Sequence, residues 1–130
     1  MAISPLKNKK VKMKLKALRG ATTCINNSSE EIEIAVFELI SELLNRNQLN
    51  EEQIISITFS ATKDLDACFP ASIARKRFEW EDVALLDCQQ MYVKKDLKKC
   101  IRVLAHVWLP DNQLAIHTYL GEANSLRPDL

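Results

Sequence analysis

Arg102 sits inside the apolar run CIRVLAHVW, residues 100–108. A guanidinium keeps its charge at any ordinary pH, so burying one among aliphatic neighbours costs several kcal/mol unless an anion meets it. Strand alternation puts Ile101, Val103, Ala105 and Val107 on one face and Arg102, Leu104, His106 and Trp108 on the other. A fixed cation of this kind can bind a carboxylate or steady negative charge that gathers during a reaction. His117 and Tyr119 share a face of the later run AIHTYL. If the turn LPDNQ folds the two runs into a hairpin, a guanidinium and a phenol project from the same side of neighbouring strands. Each residue also has a plainer reading. An arginine in a strand is most often paired with Asp or Glu, and a tyrosine is most often half-buried packing. Arg19 before Gly20 could close a strand, Arg127 could be solvated, and the two histidines read as sheet residues.

Other chemistry is poorly represented. The chain has no nucleophile elbow, phosphate loop or zinc signature. Cys24, Cys68, Cys88 and Cys100 form no C-x-x-C pair and follow no signal peptide, so reduced thiols in a cytoplasmic protein are expected. His106 and His117 lie on separate strands without ligand-like spacing, and no metal is expected.

The elements that must position these residues follow from periodicity. Met13, Leu15 and Ala17 alternate with lysines in a strand that ends at Gly20. The capping pair Ser28 and Glu31 then opens a long helix with Ile32, Val36, Leu39, Ile40 and Leu43 along one face. A second cap, Asn50 with Gln53, leads into IISITFS, a strand whose Ile55, Ile57 and Phe59 share a face. Pro70 starts a short helix in FPASIARKRF, and VALLD, CIRVLAHVW and AIHTYL complete about five strands. The class is α+β: a mixed five-stranded sheet with one long and one short helix. One long helix covers one face of such a sheet, so the other needs a second copy of the chain, in a closed homo-oligomer.

Composition agrees with this scale. The 130 residues are 47% hydrophobic and 27% charged with net charge +1, a single globular domain with no apolar run of bilayer-spanning length. Most of the positive excess lies in MAISPLKNKKVKMKLK, which lacks the apolar core or arginines of a targeting peptide. Residues 1–13 are therefore expected to be a solvated, flexible extension of a domain spanning 14–130, with neither nucleic acid nor membrane as partner.

In combination, LRGATT (18–23), FPASIAR (69–75), CIRV (100–103), TYL (118–120) and LRPDL (126–130) resemble the monofunctional, non-helical class of chorismate mutase. Each fragment is unremarkable alone, but five in the right order and spacing form a specific signature. The likeness runs from about Lys14 to the last residue. It implies a homotrimer with a shared central pseudo α/β-barrel, helices outside, and active sites in clefts between subunits. The implied activity is the Claisen rearrangement of chorismate to prephenate, in the shikimate-derived route to phenylalanine and tyrosine, with no cofactor.

The resemblance also implies roles. Arg102 would contact the ether oxygen and a carboxylate of the substrate, so that its missing anion is the substrate. Arg19 would bind a carboxylate and Tyr119 would hydrogen-bond one. Phe69, Ala71 and Arg75 would come from the neighbouring subunit at the cleft wall, and a closing tail would carry Leu126 and Arg127. Within segment 86–90 (Leu86, Asp87, Cys88, Gln89, Gln90), Gln90 stands where the best-known members have a glutamate that accepts from the substrate hydroxyl, and Asp87 where they have Cys. Asp87 is expected to supply that carboxylate or to orient Arg102. Two other readings compete: a trimeric enamine or imine deaminase-like enzyme, and a non-catalytic anion-binding regulatory trimer.

Overall fold

The computed structural model describes residues 11–126, so most of the basic extension and Arg127 lie outside the described residues. The element order is β1 (Met13–Thr23), α1 (Ser29–Arg46), β2 (Ile54–Ala61), α2 (Pro70–Phe78), β3 (Ala84–Gln89), β4 (Cys100–Pro110) and β5 (Thr118–Tyr119). Short 3-10 segments occupy Glu51–Gln53 and Gly121–Leu126. The five strands form one mixed sheet in the order β3-β2-β4-β1-β5. β4 runs antiparallel to β1 and β2, while the β2–β3 and β1–β5 pairs are parallel.

α1 begins where the capping pattern puts it. Ser28 is the N-cap, and its Oγ accepts from the Glu31 backbone N–H at 3.2 Å. Glu30 and Glu31 place negative charge at the positive end of the helix. The stripe Ile32, Val36, Leu39, Ile40 and Leu43 packs on Leu18, Ile57, Phe59 and Val103 of the sheet. α2 starts at Pro70, whose absent N–H has no helical partner to lose, and its Ala71 and Ala74 join the same core. Both helices therefore cover one face. On the opposite face Leu15 is 49% and Leu104 38% exposed, the uncovered surface that the areas required.

Three local expectations are corrected. β1 runs through Gly20 to Thr23 instead of stopping there. The glycine allows a close approach: a Cβ at residue 20 would stand 2.8 Å from the Thr118 carbonyl oxygen and 3.1 Å from Val103 Cγ1. In β2 the register slips between Ile54 and Ser56. That bulge buries Ile54 and turns Ile55 outward, leaving Ile57 and Phe59 in the core.

The third correction concerns β5. It has only two residues and pairs with β1, not with β4. Both edges of β4 are already taken by β1 and β2, so no ladder is left for a hairpin partner. Residues after the turn are instead held by the fully buried Asn47, just past the end of α1. Its Oδ1 accepts from Ile116 N–H at 2.8 Å, and its Nδ2 donates to the Ile116 and Leu43 carbonyls, each at 2.9 Å. One side-chain amide thus satisfies the backbone groups that a strand neighbour would have paired.

Candidate active site

Register decides what stands beside Arg102. One row across the sheet reads Cys88, Ser60, Arg102, Ala21 and Tyr119. Residues in register project to the same face, so Arg102 and Tyr119 share the side away from the helices even though their strands are not neighbours. Only Ala21, small and fully buried, separates them, at two strand spacings or roughly 10 Å between backbones.

The 3-10 segment Gly121–Leu126 folds over this end of the face. Ala21, Cys100 and Ala123 form a second small core, with Leu97, Tyr119 and Leu126 packed against it. Leu126 thereby packs beside Ala21 and Cys100, at the end of the face that carries Arg102. Apolar walls lower the local polarity and strengthen the pull of the guanidinium on an anion. Burial pushes the Cys100 thiol above its ordinary value, against the pull of the neighbouring Arg102.

The expectation that Arg102 waits for an external anion alone is corrected. Its Nη2 lies 3.2 Å from the Asp96 carboxylate of the same chain, with the two side chains 32% and 25% exposed. The plainer reading of a strand arginine, pairing with an acidic residue, therefore holds in part. The pairing is incomplete, because Arg102 Nε is buried and has no hydrogen-bond partner among the described residues. An orphaned buried donor costs about 1–3 kcal/mol, so a small shift that opened it to an acceptor oxygen would be favoured. Neither Asp96 nor Ser60 was singled out from the sequence. The signal for Asp96 was a lone carboxylate among four lysines in KKDLKK, six residues before Arg102.

Gln90 lies on the other side of the row. Ser60 Oγ donates to its Oε1 at 2.8 Å, and its backbone N–H donates to the Ala61 carbonyl at 2.8 Å. The amide oxygen expected to accept from a substrate hydroxyl is thus engaged by Ser60, with a second lone pair remaining. Gln90 and Asp96 both line a cleft of about 390 Å³ between the Thr62–Asp64 turn and the 90–98 loop. The first residue of that loop, Gln90, is held by its bonds to Ser60 and Ala61, and the far end is clamped as well. Thr62 Oγ1 accepts from Cys100 N–H at 3.0 Å, and Asp64 accepts from Lys99 N–H at 2.9 Å. Burial opposes the charge on Asp64, but the hydrogen bonds from Thr62 and Lys99 outweigh it and hold the carboxyl below its ordinary range.

The remaining residues gather elsewhere. Asp87 lies one strand step from the Arg102 row, on the helix-covered face, where its Oδ1 accepts from Ala71 N–H at 2.9 Å. Orientation of Arg102 by Asp87 within one chain is therefore corrected, because a one-residue step along a strand inverts the side. Burial pushes the Asp87 carboxyl above its ordinary range, against the Ala71 hydrogen bond and the Arg75 charge. Phe69, the α2 N-cap, is 68% exposed. With Asp87, Cys88 and Gln89 it lines a second cleft, of about 680 Å³. Arg75 is exposed on α2, and Leu86 is exposed on the open face of β3.

Arg19 is exposed on the Arg102 face, diagonal to it, and its backbone N–H donates to His117 Nδ1 at 2.9 Å. His106 Nδ1 meets Ser56 Oγ at 3.3 Å, so both histidines serve the sheet. One chain thus carries two separate groups: Arg102, Gln90, Tyr119, Arg19 and Leu126 in one, and Phe69, Ala71, Arg75 and Asp87 in the other.

The family model described as chorismate mutase type I matches residues 15–130. The chain is 38% identical over 120 residues to chorismate mutase AroH of Bacillus subtilis (strain 168), an alignment covering 91% of this chain and 94% of that protein. It is 36% identical over 119 residues to chorismate mutase AroH of Thermus thermophilus, covering 89% and 96%. The solved chorismate mutase from Clostridium thermocellum Cth-682 superposes with a TM-score of 0.79 at 42% identity, covering 85% of this chain and 98% of that one. On its sequence signature, its five-stranded fold and these relatives, the chain belongs to the type I chorismate mutase family.

Proposed function

We propose that this chorismate mutase rearranges chorismate to prephenate on the open face of its sheet, between the Arg102 group of one copy and the Phe69 group of another. The observation that carries the site is the Arg102 guanidinium, with its buried, unpartnered Nε–H in the same row as Tyr119. The reaction is unimolecular: one C–O bond breaks as one C–C bond forms, and no proton leaves the substrate. Its demands are therefore conformational and electrostatic. Arg19 and Tyr119 hold carboxylates so that the flexible dianion stays folded with its reacting ends together. Arg102 faces the ether oxygen, where negative charge gathers as the bond lengthens, and so favours the transition state over the ground state. Gln90, tethered by Ser60, meets the ring hydroxyl.

The separation of the two groups on one chain, together with the exposed Leu15 and Leu104, supports a homotrimer whose copies complete each other's sites. Phe69, Ala71, Arg75 and Asp87 then wall the cleft of the adjacent copy, with Leu86, Cys88 and Gln89 at its rim and Arg127 closing it with Leu126. A soluble biosynthetic enzyme acting in the cytoplasm fits a chain in which no described helix is long and apolar enough to cross a membrane. The deaminase-like and regulatory readings lack support, because the relatives are chorismate mutases over nearly the whole chain.

The test is purified protein with chorismate followed by ultraviolet absorbance, beside Arg102→Lys. The wild type consumes chorismate, and the lysine variant, which keeps the charge but loses the planar fork, is expected to be slower by roughly 100- to 1000-fold. Near-normal turnover by Arg102→Lys would remove Arg102 from the mechanism.

A further inference from the structure

The carboxylate of Asp96 is fixed before it meets the guanidinium. Its Oδ1 accepts from the Leu97 backbone N–H at 2.8 Å, and its own backbone N–H donates to the Val93 carbonyl at 3.1 Å. Both of its oxygens then approach Arg102 Nη2, at 3.2 and 3.4 Å. A long side chain such as arginine otherwise spreads over several rotamers, and a pair of two mobile side chains fixes neither. Here one partner is anchored to the main chain of a loop held at Gln90 by Ser60 and Ala61 and at Lys99 and Cys100 by Asp64 and Thr62.

We propose that Asp96 is the positioning residue for Arg102. It holds the guanidinium through Nη2 so that the Nε–H and the remaining donors stay free to meet the substrate. This rests on the assignment of the Arg102 group as the reaction site. Electrostatics permit the arrangement. Lys63, Lys95 and Lys98 line the same cleft as Asp64 and Asp96, so three cations stand against two carboxylates and the cleft remains net positive with Asp96 ionised. A displaceable stand-in for the substrate would not need a main-chain anchor. A group that fixes the angle of a cation does, because misplacing a reacting partner by even about 1 Å is expensive in rate.

Asp96→Asn and Asp96→Ala separate position from charge. Asparagine keeps an oxygen that can accept from both Leu97 N–H and Arg102, whereas alanine keeps neither contact. With chorismate as substrate, Asp96→Ala is expected to lose roughly ten-fold or more in kcat with KM within about two-fold, and Asp96→Asn to stay within about three-fold of wild-type kcat. Thermal unfolding of both variants separates lost position from lost fold. The proposal is overturned if alanine retains wild-type kcat or if asparagine falls as far as alanine. It is also overturned if both variants lower KM at unchanged kcat, the mark of an internal competitor. Arg102→Lys in the same assay keeps the two assignments apart. If it is inactive while Asp96→Ala is wild-type, only the role of Asp96 fails. If Arg102→Lys turns over normally, the site itself is wrong.

Discussion

The two faces of the sheet are written in alternate letters of the same strands and do opposite work. Toward α1 and α2, β4 presents Ile101, Val103, Ala105 and Val107, all buried in one aliphatic core. Away from them it presents Arg102, Leu104, His106 and Trp108, none of them fully buried in a single chain. The covered face takes its value from filled volume, so its residues are interchangeable with others of similar size and shape. The open face takes its value from direction: an unsatisfied donor, an anchored carboxylate, a phenol in register. On the proposed assignment of the site, stability and chemistry are thus separated by one residue, about 3.3 Å of strand.

Substitutions on either side should show that separation. The largest effect belongs to Arg102→Lys, with the loss of turnover given above and an unfolding temperature close to that of the wild type. On the covered face, Phe59→Ala removes a fully buried ring and should destabilise by about 3–5 kcal/mol in denaturant unfolding. Its folded fraction should turn over chorismate at a normal rate. If Phe59→Ala instead lowered kcat of the folded protein as strongly as Arg102→Lys, the faces would not be independent.

Smaller effects sharpen the contrast. Asn47→Ala leaves the Ile116 N–H and two carbonyls without their partner and should cost about 1–3 kcal/mol by the same measurement, with β5 the first element to lose amide protection. Two carboxylates give the finest test. The Asp87 pKa is raised by burial, so the folded state holds its proton more tightly than the unfolded chain does. Its contribution to stability is therefore lost as pH rises through the raised value. Asp64 is lowered, so its contribution is present above the ordinary carboxylate range and lost as pH falls through the lowered value. Unfolding temperature against pH should lose the first slope in Asp87→Asn and the second in Asp64→Asn.

Much of this was legible without coordinates. The Ser28 cap, the helical stripe that follows it, the alternation of β4 and the Pro70 start are local signals that nothing distant overrides. The fragments around Arg19, Arg102 and Tyr119 carried the family, and the shortage of helix carried the uncovered face. The partner of β5, the bulge at Ile55, the continuation of β1 through Gly20 and the counterion of Arg102 were not legible. Each was decided by competition between distant groups. β4 had no free edge for a hairpin, and Asn47 took the backbone that a strand would have used.

The sequence by itself determined which residues are apolar and at what period, and hence the helices, the strands and the two-faced character of β4, because those depend on neighbours within a few positions. Only the tertiary structure decided which strands lie side by side. It alone brought Tyr119 into the row of Arg102 across Ala21, placed Asp87 behind the sheet and set Asp96 against the guanidinium. Such pairings are fixed by register and by the finite number of hydrogen-bonding edges, which no local pattern encodes.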